Sequence, residues 1–239
     1  MHQTAKFMQR CSLCSSATHN FVISRAGCVI MAAGGSRRLG ARANKLLLTF
    51  RGRPLLQHAI DAASLSQAIS CTLVVGANAQ EVLDSVDVRR CAVVDNPKWR
   101  EGIASSIRAG LTQHRDDEAC IFMVADQPCI GVTDIDRLIA DHHVARDAIV
   151  ALQAGEVWGT PMLFPEHDFD ALSKLHGDSG AKRVAEAQRG RLRFVAALSH
   201  DAFKDVDTIE DYERLTGASS GFENPKTPRS RVRESPQRR

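Results

Sequence analysis

The sequence predicts an α/β fold in which a single, mostly parallel, twisted sheet is flanked by helices. From Gly27 onward, short apolar runs alternate with amphipathic segments of helical length, which is the pattern of parallel strands joined by crossover helices. A chain of 239 residues can bury one substantial core, so we expect one domain. Apolar residues make up 44% of the chain and charged residues 25%, and this ordinary composition excludes a chain that is disordered throughout.

Five short apolar runs are the candidate strands of this sheet. They are CVIMA (28–32), CTLVV (71–75), CAVV (91–94), CIFMVA (120–125) and AIVAL (148–152). Each is too short to be a helix and too apolar for a surface strand, so we expect all five to be buried.

Two segments between these runs predict crossover helices. PLLQHAIDAASLS begins with Pro54 at a plausible first helical position, and TDIDRLIADHHVA begins with Thr133 as a candidate N-cap. His142 and His143 end the second segment, where positive charge suits the helix dipole, and we expect them to be solvated rather than to bind a metal. After residue 152 the alternation breaks, and we expect an irregular insertion that carries part of a second-substrate site.

The two ends of the chain differ in composition from its middle. We expect a poorly ordered extension over residues 1–25, a folded domain over 26–216 and a basic disordered tail over 217–239, because the ends lack apolar periodicity. The composition of the first 24 residues fits a transit peptide equally well. The tail carries +4 and the first 24 residues +2 of an overall +3, which leaves −3 for the middle and excludes a nucleic-acid surface there.

The cysteines and the hydropathy suggest a compartment. Five of the seven cysteines stand singly in apolar segments, as reduced buried thiols do, which favours the cytoplasm. Cys11 and Cys14 form one CxxC without a second ligand pair, and we interpret them as incidental rather than as a zinc or redox site. The sequence lacks an apolar run of ~18 residues, the length that spans a bilayer, so we expect a cytoplasmic protein without a membrane role.

The segment CVIMAAGGSRRLGARANK, residues 28–45, predicts a phosphate-binding loop. A strand that leads into a glycine-rich turn leaves backbone N–H groups pointing outward, and Gly34 and Gly35 let that backbone approach phosphate without Cβ clashes. The segment contains the cations Arg37, Arg38 and Lys45. Its spacing matches neither the Walker A motif nor GxGxxG. The alternative is a basic surface turn.

Acidic residues follow two later segments. FMVADQP predicts an apolar strand that delivers Asp126 to the carboxyl edge of the sheet, where a carboxylate suits Mg²⁺. Alternatively, Asp126 caps the turn before Pro128. Asp205 and Asp207 face one way in an extended segment, and with Asp126 they could hold one metal. N-cap chemistry with Thr208 is the alternative for that pair, and both roles can coexist.

Three further segments contain candidate ligand contacts. Ser105 and Ser106 lie near a predicted helix start, where hydroxyl and N–H groups can meet ribose or phosphate, and ordinary capping explains them equally well. Trp99 is a candidate for stacking on a ring, although packing is the commoner fate of a lone tryptophan. In GDSGAK, Asp178 is either a plain N-cap or part of an anion site at a helix start.

Six blocks, in order along residues 27–216, resemble the molybdenum-cofactor nucleotidyltransferases. MAAGGSRRLGARANK with GRPLLQHAIDAA resembles the AAGxSxRMG loop and the following lysine with which that family binds a nucleoside triphosphate. The other blocks are DNPKWREGIASSIRAGL, ADQP, GTPMLF, GDSGAK and DVDTIEDY. Two positions depart from the family pattern: four residues rather than three separate Gly40 from Lys45, and Thr160 stands where histidine is common.

The resemblance implies a Rossmann-like nucleotidyltransferase domain that uses Mg²⁺. It implies nucleotide binding by Ala32, Ala33, Gly34, Gly35, Ser36, Arg37, Arg38, Lys45 and Asp126. The implied catalytic residues are Arg38, Lys45 and Asp126. The implied metal ligands are Asp126 and Asp207, with Asp205 as a further candidate. The implied second-substrate residues are Ser105, Ser106, Gly159, Pro161, Gly177, Asp178 and Gly180.

The resemblance also implies a reaction: transfer of CMP from CTP to the terminal phosphate of molybdopterin-bound molybdenum cofactor, which forms molybdopterin cytosine dinucleotide and pyrophosphate. In that family a loop that begins Ala-Ala-Gly goes with cytidine and Ala-Gly-Gly with guanosine, and Ala32, Ala33 and Gly34 match the first. A molybdoenzyme or its chaperone is the expected recipient. The alternatives are a relative that uses GTP or another phosphorylated acceptor, and a non-catalytic nucleotide-binding module.

Overall fold

A seven-stranded sheet forms the centre of the computed structural model, which describes residues 25–35 and 44–217. The strands are β1 (Ala26–Met31), β2 (Thr49–Phe50), β3 (Arg53–Pro54), β4 (Ser70–Val75), β5 (Ala92–Asp95), β6 (Ala119–Val124), β7 (Ile149–Ala154), β8 (Val157–Pro165) and β9 (Leu192–Ala196). Their order across the sheet is β5-β4-β1-β6-β8-β7-β9, and β2 and β3 form a separate short hairpin. Only β8 runs antiparallel to its neighbours, β6 and β7, so the predicted mostly parallel sheet is confirmed.

Helices cover both faces of this sheet. They are α1 (Leu55–Ser64), α2 (Ala79–Leu83), α3 (Ile103–Leu111), α4 (Val132–Val144), α5 (Phe169–Ser173), α6 (Lys182–Ala187) and α7 (Ile209–Thr216). Side chains alternate along β1, so that Cys28 and Ile30 pack with α1 and α4, whereas Val29 packs with α3 and α5. In the described part of the chain, none of the helices has the length and apolar character needed to cross a membrane.

All five predicted strands are present, with ends displaced by one or two residues. The expectation that all five are buried is wrong for β5. This strand lies at the edge of the sheet, where it pairs only with β4, and Val93 is 41% exposed. An edge strand has a neighbour on one side only, so its apolar composition does not reveal its place in the sheet.

The predicted irregular insertion after residue 152 is wrong. Residues 157–165 form β8, which lies inside the sheet between β6 and β7, and β9 pairs with β7 at the edge. The sequence does not reveal β8 because burial changes along it. Its first half is only partly buried and contains Gly159, whereas its last residues, from Pro161 on, are buried.

Two details of α4 differ from the sequence prediction. The helix begins at Val132 with Gly131 at the N-cap, whose N–H donates to the Asp134 carboxylate at 2.9 Å, so Thr133 is not the cap. His142 is only 1% exposed and is not solvated, because its side of the helix packs toward the sheet. His143 is partly exposed. A histidine in a last helical turn thus carries no information about which face it occupies.

A cluster of buried polar side chains lies at the amino end of the sheet. His114 Nδ1 donates to the Asp117 carboxylate at 2.8 Å, and His114 Nε2 lies 2.9 Å from the Thr72 hydroxyl. Gly27 on β1 is required beside them, since a Cβ there would lie 2.1 Å from His114 Nδ1. These contacts stabilise the layer between β1, β4 and the loop that follows α3.

Candidate active site

A cleft of about 340 Å³ lies at the carboxyl edge of the sheet, where open α/β sheets bind ligands. The segments after β1 and β6, the turn around Trp99 and the start of α3 border it. Its lining includes Ala32, Ala33, Gly34, Gly35, Lys45, Trp99, Arg100, Gly102, Ser106, Asp126 and Asp178. The cleft therefore gathers residues from four of the blocks that the sequence singles out.

The loop after β1 is anchored by backbone hydrogen bonds to β4 and the turn that follows it. Ala32 donates to the Val74 carbonyl at 2.9 Å, and the Ala33 carbonyl accepts from Ala77 at 3.1 Å. Gly35 packs closely against Trp99, and a Cβ added at Gly35 would lie 3.1 Å from the indole ring. Gly34 differs, since a Cβ there would meet no atom within 4 Å among the described residues. Among the described residues, nothing therefore covers the backbone at Gly34.

Ser36, Arg37 and Arg38 lie outside the described residues, in the segment 36–43. Their assignment to phosphate binding remains a prediction from the sequence.

Lys45 joins two of the predicted acidic residues. Its ammonium nitrogen Nζ donates to Asp126 Oδ2 at 2.5 Å and to Asp207 Oδ1 at 2.7 Å. The Asn44 side chain caps the short turn Lys45–Leu47 by accepting from Leu46 N–H, which fixes the backbone from which Lys45 extends. Burial opposes the charged ammonium, but the charges and hydrogen bonds of the two carboxylates outweigh burial and raise the pKa of Lys45.

A buried valine holds the last acidic segment against the end of β6. Val206 donates its N–H to the Asp126 carbonyl at 3.3 Å, and its side chain packs with Phe50 and Leu55. On one side of it, Asp207 reaches Lys45. On the other, Thr208 caps α7 through a reciprocal pair of hydrogen bonds with Asp211. The Thr208 cap therefore does not prevent Asp207 from contacting Lys45.

Asp205 takes a different partner. Its carboxylate accepts from Gln127 Nε2 at 2.7 Å, and Gln127 Oε1 lies 3.4 Å from the Thr160 hydroxyl. Burial, and then the charge of Asp126, raise the pKa of Asp205. This residue lies close enough to Asp126 to feel its charge but is oriented by Gln127.

The donor set can be compared with what a divalent cation needs. In the part of the chain that the structure describes, no three His, Cys, Asp or Glu side chains are arranged as a metal site. Asp126 and Asp207 nevertheless converge on one cationic atom, the Lys45 ammonium. Mg²⁺ and related hard ions bind to one or two carboxylates and take other oxygens from phosphate and water, so the pair fits such an ion.

One buried asparagine organises the wall of the cleft at α3. Asn96 Nδ2 donates to the hydroxyls of Ser105 at 2.8 Å and Ser106 at 3.1 Å. Ser105 also donates to the Gly102 carbonyl, so it serves the helix start, whereas Ser106 lines the cleft. The two serines that the sequence treats alike thus occupy different positions.

The GDSGAK block lies against the start of α3. Gly102 has a φ of +96°, and a Cβ there would lie 2.4 Å from the Gly177 carbonyl carbon and 2.5 Å from an Asp178 oxygen. The Gly177 carbonyl accepts from Ala104 at 3.1 Å, and Asp178 lines the cleft. Gly102 is therefore required twice, for its left-handed backbone and for this close approach.

Trp99 is both a packed residue and part of the lining. Its Cβ would lie 2.9 Å from a Cβ at Gly76, and the Arg100 guanidinium lies 4.3 Å from its ring centroid. Such a cation–π contact holds the ring in place and brings a positive charge to the rim of the cleft.

The remaining predicted second-substrate residues lie outside the lining of this cleft. Gly159 and Pro161 are on β8, and Gly159 lies near Phe203. Gly180 lies beside Ile103 at the start of α3. Thr160 connects the β8 segment to the acidic residues through Gln127.

Sequence reasoning missed Asn96, Arg100, Gly102 and Gln127. All four stand inside blocks that it singled out, next to residues that it assigned. Their roles depend on side-chain direction and on backbone φ, which sequence patterns do not specify.

Comparison with known proteins identifies a family and several relatives. Residues 28–192 match the family model described as "MobA-like NTP transferase domain". Nicotine blue oxidoreductase of Paenarthrobacter nicotinovorans is 31% identical over 78% of this chain and 94% of its own length.

Two solved structures are similar in fold and sequence. The Rv0371c homolog from Mycobacterium sp. strain JC1 has a TM-score of 0.71 and 31% identity, over 81% of this chain and 96% of that one. Rv0371c of Mycobacterium tuberculosis H37Rv in complex with manganese has a TM-score of 0.68 and 25% identity, over 82% of this chain and all of that one. The matched residues include strands β2 to β8, most of β1, the glycine loop, Lys45 and Asp126. The chain belongs to the MobA-like NTP transferase family.

Proposed function

We propose that this protein transfers CMP from CTP to the terminal phosphate of molybdopterin-bound molybdenum cofactor, which forms molybdopterin cytosine dinucleotide and pyrophosphate. The observation that carries the proposal is the convergence of Lys45, Asp126 and Asp207 at 2.5 and 2.7 Å beside an open glycine backbone. A charged lysine, two carboxylates and exposed N–H groups at a strand end suit a triphosphate with its counter-ion.

The bond changes need no covalent intermediate with the protein. An oxygen of the acceptor phosphate attacks the α-phosphorus of CTP, the bond from that phosphorus to the bridging oxygen of the β-phosphate breaks, and pyrophosphate leaves. The acceptor phosphate is mostly ionised near pH 7, since its second pKa is about 6, so no general base is required. Catalysis then rests on alignment and on charge neutralisation in the transition state.

Each residue has a place in that scheme. Gly34 and Gly35 bring backbone N–H groups to the phosphates, and Lys45 binds phosphate oxygens with a proton that its raised pKa retains. From the sequence, Arg38 adds a second positive charge. Ser106 and Asp178 also line the cleft, and the acceptor would bind beside them. The close contact between Gly102 and the Gly177–Asp178 turn keeps Asp178 next to the start of α3.

Asp126 and Asp207 would hold Mg²⁺, which supplies positive charge to the triphosphate and to the leaving pyrophosphate. With that ion held by the two carboxylates, the Lys45 ammonium would contact the phosphates instead. Asp205, turned to Gln127, is the further candidate for the metal.

The proposal for the base rests on Ala33. Ala33 lines the cleft, and its methyl group lies against Gly76, beside Trp99. A methyl at this position leaves less room than a glycine would and favours a pyrimidine over a purine. Discrimination by one methyl group is worth about 1–3 kcal/mol, so we expect a preference for CTP rather than exclusion of GTP. The recipient of the product would be a molybdoenzyme or its chaperone.

The test is a competition. The protein is incubated with CTP and GTP at equal concentration, Mg²⁺ and molybdopterin-bound molybdenum, and the dinucleotides are identified by mass spectrometry. We expect mainly the cytosine form, lost in Asp126→Asn and kept in Asp95→Asn, an exposed carboxylate at the end of β5. A product that is mainly the guanine dinucleotide would contradict the assignment of CTP as the substrate. If neither nucleotide gave a dinucleotide, the assignment of the acceptor would be wrong.

A second candidate comes from the relative in Paenarthrobacter nicotinovorans, which is named for oxidoreduction of nicotine blue. Its similarity extends over nearly its whole length, so oxidoreduction of nicotine blue is a competing function for this cleft. The discriminating assay supplies nicotine blue and a hydride donor without any nucleoside triphosphate. Bleaching of the pigment under those conditions would favour the redox function, and pyrophosphate release that depends on CTP and an acceptor favours transfer.

A further inference from the structure

Three cysteines lie in a row across the strands β1, β4 and β5. Cys28 and Cys71 are paired in register on β1 and β4. Cys91 directly precedes Ala92, the first residue of β5, which pairs with Thr72. All three side chains belong to the face of the sheet covered by α1 and α4. Adjacent strands therefore bring Cys71 and Cys91 side by side on one face.

The sulfur atoms of Cys71 and Cys91 lie 2.8 Å apart, and both are free thiols. Neighbouring strands are ~4.8 Å apart, which falls within the Cα separation of ~4.4–6.8 Å that disulfides span. The sulfurs need to approach by less than about 1 Å to reach the bond length of ~2.05 Å. Little backbone movement is thus required to join them.

The two thiols differ in exposure. Cys71 is 4% exposed, whereas Cys91 is partly exposed because it stands at the sheet edge. The hydrogen bond that Cys71 donates lowers the pKa of Cys91, against the opposing effects of burial and of the charges of Asp61 and Asp87. Cys91 is therefore both the thiol that solvent can reach and the better nucleophile, and the buried Cys71 thiol lies beside it.

We propose that Cys71 and Cys91 form a reversible disulfide when the protein meets a hydroperoxide. The Cys91 thiolate attacks the peroxide oxygen, the O–O bond breaks, and Cys91 becomes a sulfenic acid as hydroxide leaves. The Cys71 sulfur then attacks the Cys91 sulfur, its proton goes to the departing hydroxide, and water leaves. Two thiols lose two electrons and two protons, and one hydrogen peroxide becomes two waters. A dithiol reductant reverses the bond.

Peptide mapping tests the pair directly, because trypsin separates the two cysteines. Cleavage after Arg51, Arg89, Arg90 and Lys98 gives peptides 52–89 and 91–98, each with one cysteine. The full-length protein is treated with stoichiometric hydrogen peroxide, alkylated and digested without reductant. We expect the two peptides linked to each other, and separate again after reduction.

Variants identify the partners. Cys71→Ser and Cys91→Ser should each abolish the link, whereas Cys129→Ser, which removes a half-buried cysteine elsewhere, should retain it. In Cys71→Ser, Cys91 should stop at sulfenic acid with one equivalent of hydrogen peroxide and should go on to sulfinic acid with a second equivalent, because the resolving thiol is gone. Peroxide treatment that leaves both peptides alkylated, or a link from Cys91 to any cysteine other than Cys71, would overturn the proposal.

Discussion

The amino and carboxyl edges of the sheet hold polar clusters built from similar residue types. At the amino edge, His114 contacts Asp117 and Thr72 at 2.8 and 2.9 Å. At the carboxyl edge, Lys45 contacts Asp126 and Asp207 at 2.5 and 2.7 Å. The first cluster has the hydroxyl–imidazole–carboxylate order of a hydrolase triad, yet His114 is 1% exposed and faces Gly27 at close range, whereas the second lines an open cleft.

The difference shows that hydrogen-bond geometry alone does not identify a site. A cluster of this kind that is buried in the core stabilises the fold. A cluster can bind a ligand only where its charged groups and nearby backbone N–H groups are accessible. The volume of a depression does not identify a functional site either, since a depression of about 780 Å³ lies at the amino edge around His142 and Arg146. Its charges are mixed, and no glycine-rich strand end reaches it among its lining residues.

Replacement of Lys45 by methionine should have the largest effect on turnover. The variant removes the positive charge between Asp126 and Asp207 and keeps the length of the side chain. We expect pyrophosphate release to fall about 10²–10³-fold or more, as for other lost transition-state charge contacts. Lys174→Met, an exposed lysine after α5, is the control and should turn over normally. Equal rates of pyrophosphate release in the two variants would contradict a role of Lys45 in turnover.

Gly27→Ala should have the largest effect on stability. A Cβ at Gly27 would lie 2.1 Å from His114 Nδ1 and 2.6 Å from an Asp117 oxygen, so the buried group must shift or lose hydrogen bonds. We expect a loss of about 3 kcal/mol, measured by urea unfolding. Gly190→Ala is the control, since a Cβ there meets nothing within 4 Å among the described residues. A Gly27→Ala protein as stable as the control would contradict the sealed-core account.

The buried His142 predicts how acid affects stability. Burial, and then the charge of Arg146, lowers the pKa of His142 to about 4. Below an unfolded-state pKa of ~6.5 the unfolded chain binds a proton that the folded chain does not, so this group reduces stability as the pH falls toward 4. His142→Leu should remove up to about 3 kcal/mol of that loss between pH 6.5 and 4. His143→Leu should not, and identical urea midpoints for both variants at pH 4.5 would refute the assignment.

Gly34→Ala should have the smallest effect on the fold and a selective effect on the ligand. A Cβ at Gly34 meets no described atom within 4 Å, so the free energy of unfolding should change by less than about 1 kcal/mol. The methyl group would occupy space that phosphate needs, and we expect KM for CTP to rise about tenfold. Gly35→Ala instead presses on Trp99 and should lower stability. Unchanged KM in Gly34→Ala would show that the phosphates bind elsewhere.

The sequence predicts much of this arrangement and misses particular parts for physical reasons. The strand-ending loop and Asp126 could be found because the carboxyl ends of parallel strands meet at one edge. Lys45 and Asp207 could be found because they stand in blocks that resemble a known family. The place of β8 in the sheet could not be predicted, because a strand with Gly159 and a partly buried first half lacks a clear period of burial. Gly102 and Asn96 were missed because their roles come from a positive φ and from a buried contact with two serines.

The most direct test of the central claim compares Asp126→Asn with Asp117→Asn, one variant at each edge. Pyrophosphate release with CTP, Mg²⁺ and acceptor is measured per folded molecule, together with urea unfolding. The account predicts that Asp126→Asn keeps most of its stability and loses turnover at least ~10²-fold, whereas Asp117→Asn loses stability and keeps turnover per folded molecule. Near-normal turnover in Asp126→Asn, or lost turnover in a stable Asp117→Asn protein, would contradict it.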